Sequence, residues 1–199
     1  MNKLEIAKDW LPRYTGMPLE SFGQNILLTN FSDYVENFAD KFGVDIYGEK
    51  KPMQAATNNE GLTIINFGIG SPNAATIMDL LIACNPNGVL FLGKCGGLKG
   101  SSEIGHFILP IAAIRGEGTS DNYYPSEVPA LPSFKLHKFV SEKINPYFKF
   151  VKICPEIEVG MGVPRPPIHL YKSNSGNIKL VNRDNHSLGE SEFSKLALA

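Results

Sequence analysis

The sequence predicts an α/β fold with a largely parallel sheet, and three observations carry the prediction. Short apolar runs at 25–30, 62–67 and 89–92 read as buried strands. Segments with helical spacing lie between them, at 31–42 and through Ile77, Met78, Leu80, Leu81 and Ile82. Strand, helix, strand in that order is the mark of parallel strands joined by crossovers. Two of the strands end in glycine turns, Asn66-Phe-Gly-Ile-Gly-Ser-Pro-Asn-Ala-Ala75 and Phe91-Leu-Gly-Lys-Cys-Gly-Gly-Leu-Lys99. A glycine lets a ligand approach the backbone, so two such turns on neighbouring parallel strands build one pocket at the carboxyl edge of a sheet.

Taken in order, Asn25 to Asn30 is a short strand. The helix from Phe31 to Phe42 carries Phe31, Tyr34, Val35, Phe38, Ala39 and Phe42 on one stripe, and Gly43 is its stop. Gly48 to Asn59 is mostly polar and reads as loop or an exposed edge. Leu62 to Phe67 is a β-branched strand. Ser71 and Pro72 read as an N-cap followed by proline at the first helical position. Asn85 to Gly88 turns the chain into the strand at Val89–Leu92. His106 to Ile114 is strand-like, with Pro110 suited to an edge or a bulge. Arg115 to Pro132 is long and rich in Gly, Ser, Tyr and Pro, and a loop of that length is expected to be a functional lid or disordered. A helix over Ser133–Ile144 and a strand over Phe148–Ile153 follow, then Pro164, Pro166 and Pro167 break regular structure. The polar tail after Val181 is expected to be loosely held.

Composition bounds the function. With 199 residues, 43% hydrophobic and 20% charged, the chain can bury one sizeable core. A net charge of −1 offers no electrostatic footprint for nucleic acid or an acidic membrane. No apolar run is long enough to span a bilayer, and Met1 to Trp10 has no apolar signal core, so a cytoplasmic location is the expectation. The three cysteines, Cys84, Cys95 and Cys154, form no CxxC pair and indicate neither a disulfide framework nor a zinc site.

The chemistry-bearing residues can be weighed one by one. The first glycine turn is no dinucleotide fingerprint, because Asn73 stands at its third glycine position and no acidic residue ends the next strand. It still brings a backbone approach to a helix start, which attracts anions. Lys94, between glycines at a strand end, suits a phosphate, or is a solvated lysine. Cys95 reads as a packing thiol, and His106 and His137 as structural or exposed. Glu117, Asp121 and Glu127 in the long loop are either solvated or placed to assist a leaving group. Arg13 beside Tyr14 suits a phosphate clamp or a capping role. Glu156 and Glu158 share one strand face, most simply an exposed one.

Together several segments resemble the catalytic domain of the bacterial AMP nucleosidase family. They are Trp10–Gly16, Phe22-Gly23, Ile26–Phe31, Ile64–Gly68, Gly70–Ile77, Gly93–Leu98, Ile111–Ser120 and Glu127–Pro132. The resemblance covers residues 1–144. It implies a nucleoside phosphorylase-like mixed sheet flanked by helices and a homo-oligomer, usually a hexamer. It also implies hydrolysis of AMP to adenine and ribose 5-phosphate with no organic cofactor or catalytic metal. By the same resemblance, Gly70 and Ser71 line the phosphate and ribose side, and Lys94, Gly96 and Gly97 the ribose and base side. Arg13 reaches a neighbouring subunit's phosphate site. The loop holding Arg115 and Thr119 lies near the substrate.

Beyond Ile144 the pattern changes. The family's Met-Glu pair for the ribose hydroxyls and its late aspartate, which protonates the leaving purine, have no counterpart, and no Ser-Asp dipeptide follows Phe150. Phe150 to Leu170 instead resembles the thiouracil desulfidase-like domain family, some of whose members carry an iron–sulfur cluster. Cys154 matches one cluster cysteine, but a single thiolate cannot hold a cluster. The expected organisation is therefore an incomplete AMP nucleosidase-like domain over 1–144, a fragment of a second family over 145–182 and a polar tail over 183–199. Two further functions follow as alternatives: a nucleotide-binding protein without turnover, and an iron–sulfur desulfidase-like protein.

Overall fold

In the computed structural model, the described residues are 2–95, 107–125 and 127–144, with the backbone of 151–154, 169–172 and 178–181. They fall into two units, 1–96 and 97–199. No helix among the described residues is long and apolar enough to cross a membrane.

The first unit begins with a helix that the sequence reading did not anticipate, α1 (Lys3–Thr15). Asn2 and Glu5 form a reciprocal capping box, and Gly16 closes the helix in the left-handed conformation at φ 69°. Its buried stripe is narrow, only Ala7, Leu11 and Thr15, and Pro12 in the last turn reads as a breaker. Those two properties hide the helix from a periodicity argument.

Strand β1 (Asn25–Thr29) leads to α2 (Ser32–Phe42), which ends at Gly43 as expected. Strand β2 (Gln54–Thr57) follows, inside the stretch read as loop or edge, and pairs antiparallel with β3 (Leu62–Asn66). It is an edge strand, although Ala55 and Ala56 on it are buried. Helix α3 (Ser71–Leu80) runs on as a 3-10 turn over Leu81–Ala83, and β4 (Gly88–Leu92) completes the sheet. The helix cap sits one residue earlier than expected: Gly70 is the N-cap of α3, and Ser71 and Pro72 are its first helical residues.

The strand order is β2-β3-β1-β4, with β1 parallel to both β3 and β4. The core is split by the sheet. On one face α1, α3 and the 3-10 turn bring Ala7, Leu11, Ile77, Leu80 and Leu81 onto Ile26, Leu28 and Ile65. On the other, Val35 and Phe38 of α2 pack on Ala56 and Ile64, with Leu27 beside them. Each fully buried Leu or Ile contributes about 1.5–3 kcal/mol through the apolar area it removes from water.

In the second unit, β5 (Phe107–Pro110) pairs parallel with β6 (Val151–Cys154), in register from Phe107–Val151 to Pro110–Cys154. The expected strand through Ile114 stops at Pro110, beyond which Ala113 makes an isolated bridge with Ala130. Helix α4 (Phe134–Ile144) lies between the two strands in sequence. Two short antiparallel strands, β7 (His169–Lys172) and β8 (Ile178–Val181), follow the proline-rich stretch. His106, Glu156, Glu158, Pro164 to Pro167 and the tail after Val181 lie outside the described residues.

Candidate active site

Parallel strands end together, and here Thr29 is in register with Asn66 on one side and Leu92 on the other. The sequence reading placed the two glycine turns on neighbouring strands. In the structure their strands, β3 and β4, flank β1 and are not paired with each other. The turns therefore stand about 10 Å apart, two strand spacings. The chain leaves β1 to one side through α2 and crosses back to the other through α3. The carboxyl edge of β1 is thus a topological switch point, where open α/β sheets form their ligand crevice.

The β3 exit is ordered by side chains. The Asn66 Oδ1 accepts the Gly68 N–H at 3.0 Å, and the Phe67 N–H continues the ladder to the Thr29 carbonyl at 3.1 Å. Gly68 and Gly70 hold φ of 81° and 102°, where a side chain is strained. The Gly70 carbonyl accepts the Ala74 N–H at 3.1 Å, the first bond of α3. The N-cap residue Gly70 offers no side-chain cap, and the first turn carries no acidic residue. The positive dipole end of α3 favours an anion.

The β4 exit is Gly93-Lys94-Cys95. A Cβ on Gly93 would lie 2.8 Å from the Phe91 ring, so a larger residue there would displace that ring. Phe91 in turn stands against Phe67 with ring centroids 5.9 Å apart. Lys94 is exposed, and its ammonium lies 4.2 Å from the Phe31 ring centroid and 5.2 Å from that of Tyr34. At the β1 exit, the Thr29 Oγ1 accepts the Phe31 N–H at 3.2 Å. The Asn30 Oδ1 is buried there with no partner among the described residues.

Of the residues expected at a site, Gly70, Ser71 and Lys94 thus come to one edge. Gly96 and Gly97 lie outside the described residues. Arg13 lies in the last turn of α1, bonded to Asp9 at 2.9 and 3.1 Å. The neighbouring Tyr14 carbonyl accepts the Met53 N–H at 3.0 Å, which ties this end of α1 to the start of β2. Strands β2 and β4 are three spacings apart, about 14 Å. Trp10 and Tyr14 stack on the same helix with centroids 6.1 Å apart.

In the second unit Arg115 is turned into its own loop. Its side chain is only 6% exposed and donates to the carbonyls of Ser120 and Tyr124, both at 3.0 Å, and of Pro125. Asp121 stands 3.7 Å from the guanidinium. The Glu117 carboxylate accepts the N–H groups of Thr119 at 2.6 Å and Ser120 at 3.2 Å, capping a 3-10 turn over Thr119–Asn122. Glu127 is exposed. The first part of the segment expected to be a functional lid or disordered, residues 115–125, is therefore internally bonded.

Three contributors to the edge escaped the sequence reading: Asn30, Phe31 and Tyr34. Phe31 and Tyr34 were read as members of the apolar stripe of α2. A phenylalanine immediately before the helix, where a capping side chain belongs, is the signal that sets Phe31 apart.

Comparison with known proteins agrees with this architecture. The chain is similar to AMP nucleosidase of Escherichia coli K12, 29% identical over 160 residues that cover 62% of this chain and 33% of that protein. A crystal structure of AMP nucleosidase from Bacteroides thetaiotaomicron VPI-5482 is 54% identical with a TM-score of 0.73, covering 76% of this chain and 66% of that one. Uridine phosphorylase from Vibrio fischeri ES114 shares the fold at 22% identity and a TM-score of 0.65, over 71% of this chain and 61% of that one. The chain spans about a third of the length of the curated AMP nucleosidases it matches. Residues 133–198 match the 2-thiouracil desulfurase family, overlapping the end of the longer match. That longer match, over residues 26–161, runs from β1 through β6, and by it the chain belongs to the phosphorylase superfamily.

Proposed function

We propose that this chain binds AMP at the carboxyl edge of β1 and hydrolyses its N-glycosidic bond to adenine and ribose 5-phosphate. The observation that carries the reading is the pairing of a helix start at Gly70 with the Lys94 ammonium across β1, in a chain 54% identical to an AMP nucleosidase. An anionic group on a small ligand is the natural occupant of such an edge.

In this reading Gly70 and Ser71 line the phosphate and ribose, and Lys94 meets the phosphate. By the family resemblance, Gly96 and Gly97 line the ribose and base side. The bond breaks with its electron pair leaving on the purine, water adds to the ribosyl oxocarbenium, and the proton that this water loses ends on the purine nitrogen, giving neutral adenine and ribose 5-phosphate. Arg13 leaves Asp9 to reach the phosphate of a neighbouring protomer in a cytoplasmic homo-oligomer. By the family resemblance, Arg115 and Thr119 belong to a loop near the substrate. The domain boundary lies near residue 144.

A second reading, binding without turnover, has its own support. The residues after 144 match a different family, and the described loop carboxylates Glu117 and Asp121 are already engaged by backbone N–H groups and by Arg115. Incubation of the full chain with AMP, followed by chromatography for free adenine and by calorimetry for binding, separates the two. Adenine release supports hydrolysis. Heat of AMP binding without adenine supports the second reading, and absence of both overturns each.

A further inference from the structure

We infer that Phe31 and Tyr34 are positioning residues for Lys94: their rings hold its ammonium at the carboxyl edge of β1, charged and ready for an anionic ligand. The two rings stand 5.7 Å apart, inclined at 64°, and so form the two walls of a corner. The Lys94 ammonium sits in that corner, 4.2 Å and 5.2 Å from the ring centroids.

Tyr34 also packs on the Val35–Phe38 core under α2, and three features argue that the corner serves Lys94 as well as the helix. Phe31 occupies the N-cap position of α2 and gives no side-chain cap, so a position that favours Ser, Thr, Asp or Asn is used for something else. Lys94 follows Gly93 on an exposed segment, where a free lysine would sample many rotamers. Ring faces reduce that freedom before any ligand arrives. The choice of partner matters most. A carboxylate would hold the ammonium as well but would cancel its charge and repel a phosphate. Aromatic faces hold a cation through their quadrupole and leave the full positive charge available. Among the described residues no carboxylate pairs with Lys94, and Asp33, in the first turn of α2, is exposed.

The choice of AMP as ligand rests on the proposed function; the ring contact does not. The test uses the full chain labelled with 13C at the lysine ε-carbon, the Lys94 signal being the one that disappears in Lys94→Arg. The expected signal is displaced upfield by the ring currents, returns to the position of a free lysine in Phe31→Leu and moves part of the way in Tyr34→Leu. AMP affinity falls three- to tenfold in Phe31→Leu while adenosine affinity stays within twofold. Combining Phe31→Leu with Lys94→Ala costs no more than Lys94→Ala alone, because the rings act only through the ammonium. A wild-type Lys94 signal at the free-lysine position overturns the inference whatever binds. So does unchanged AMP affinity in both ring variants. If AMP does not bind at all, the nucleotide reading fails separately, and inorganic phosphate becomes the probe. A phosphate-induced shift of the displaced Lys94 signal then supports the inference, and no shift overturns it.

Discussion

Replacing Lys94 by alanine tests the electrostatic half of the proposed site. In the free protein the ammonium rests on two ring faces at 4.2 and 5.2 Å, contacts worth about 0.5–1 kcal/mol on an exposed surface. A hydrogen bond from an ammonium to a phosphate oxygen is worth about 1.5–3 kcal/mol. If the ammonium keeps the rings as it meets the phosphate, the ring contacts cancel, and solvent screening at this exposed position leaves about 1–2 kcal/mol, or about 5- to 30-fold in affinity. Lys94→Ala is therefore expected to weaken AMP by about tenfold. Adenosine, which has no phosphate, should change by less than twofold. The contrast should shrink as salt is raised, because an exposed pair is screened. Isothermal calorimetry reads both ligands directly and does not depend on turnover. Lys94→Arg should keep most of the AMP affinity, since it keeps the charge. Equal losses for AMP and adenosine would refute the argument and remove Lys94 from the phosphate.

Other consequences reach beyond that residue. A Cβ on Gly23 would stand 2.0 Å from the Gly61 carbonyl oxygen, and the Gly23 N–H is bonded to the Thr63 Oγ1 at 2.8 Å. Gly23→Ala should cost about 3–5 kcal/mol, the sum of a forced backbone shift and a lost buried bond, read as a lower urea midpoint. A cost below 1 kcal/mol would show that the neighbouring turn yields easily. Arg115→Ala should free the loop over 116–125 from its three carbonyl anchors and speed chymotryptic cleavage after Tyr123. Arg115→Lys should not restore protection, because one ammonium cannot span three carbonyls; equal cleavage rates in wild type and Arg115→Ala would contradict the anchoring role. Burial pushes the Cys84 thiol up from its ordinary range, whereas Cys95 is exposed. In a Cys154→Ser background a thiol reagent should label Cys95 first and Cys84 slowly at pH 8. Because the folded thiol holds its proton longer than the unfolded one, the Cys84 contribution to stability is full at neutral pH and is lost as pH rises past the ordinary thiol range. Faster labelling of Cys84 than of Cys95 would contradict its burial.

The sequence by itself determined the α/β class, the strands at 25–29, 62–66 and 88–92, the helix ending at Gly43 and both glycine turns. Each depends on residues close along the chain: apolar spacing, β-branched runs and turn formers that act within one element. It also carried the family, because long stretches such as Gly70–Ile77 were recognisable as they stood. The tertiary structure decided what those elements do to one another. Strand order put β1 between the two glycine turns, so they face each other across a strand instead of side by side. Packing made a helix of Lys3–Thr15 in spite of Pro12, and a strand of Gln54–Thr57 in a polar stretch, because α1 covers one face of the sheet and β3 offers an open edge. Lys94 and the Phe31–Tyr34 corner are some sixty residues apart in sequence, and Arg115 is turned onto its own carbonyls by loop geometry. Neither partnership leaves a local periodicity to read, since a cation finds its ring, or a guanidinium its carbonyl, only after the backbone has set their distance.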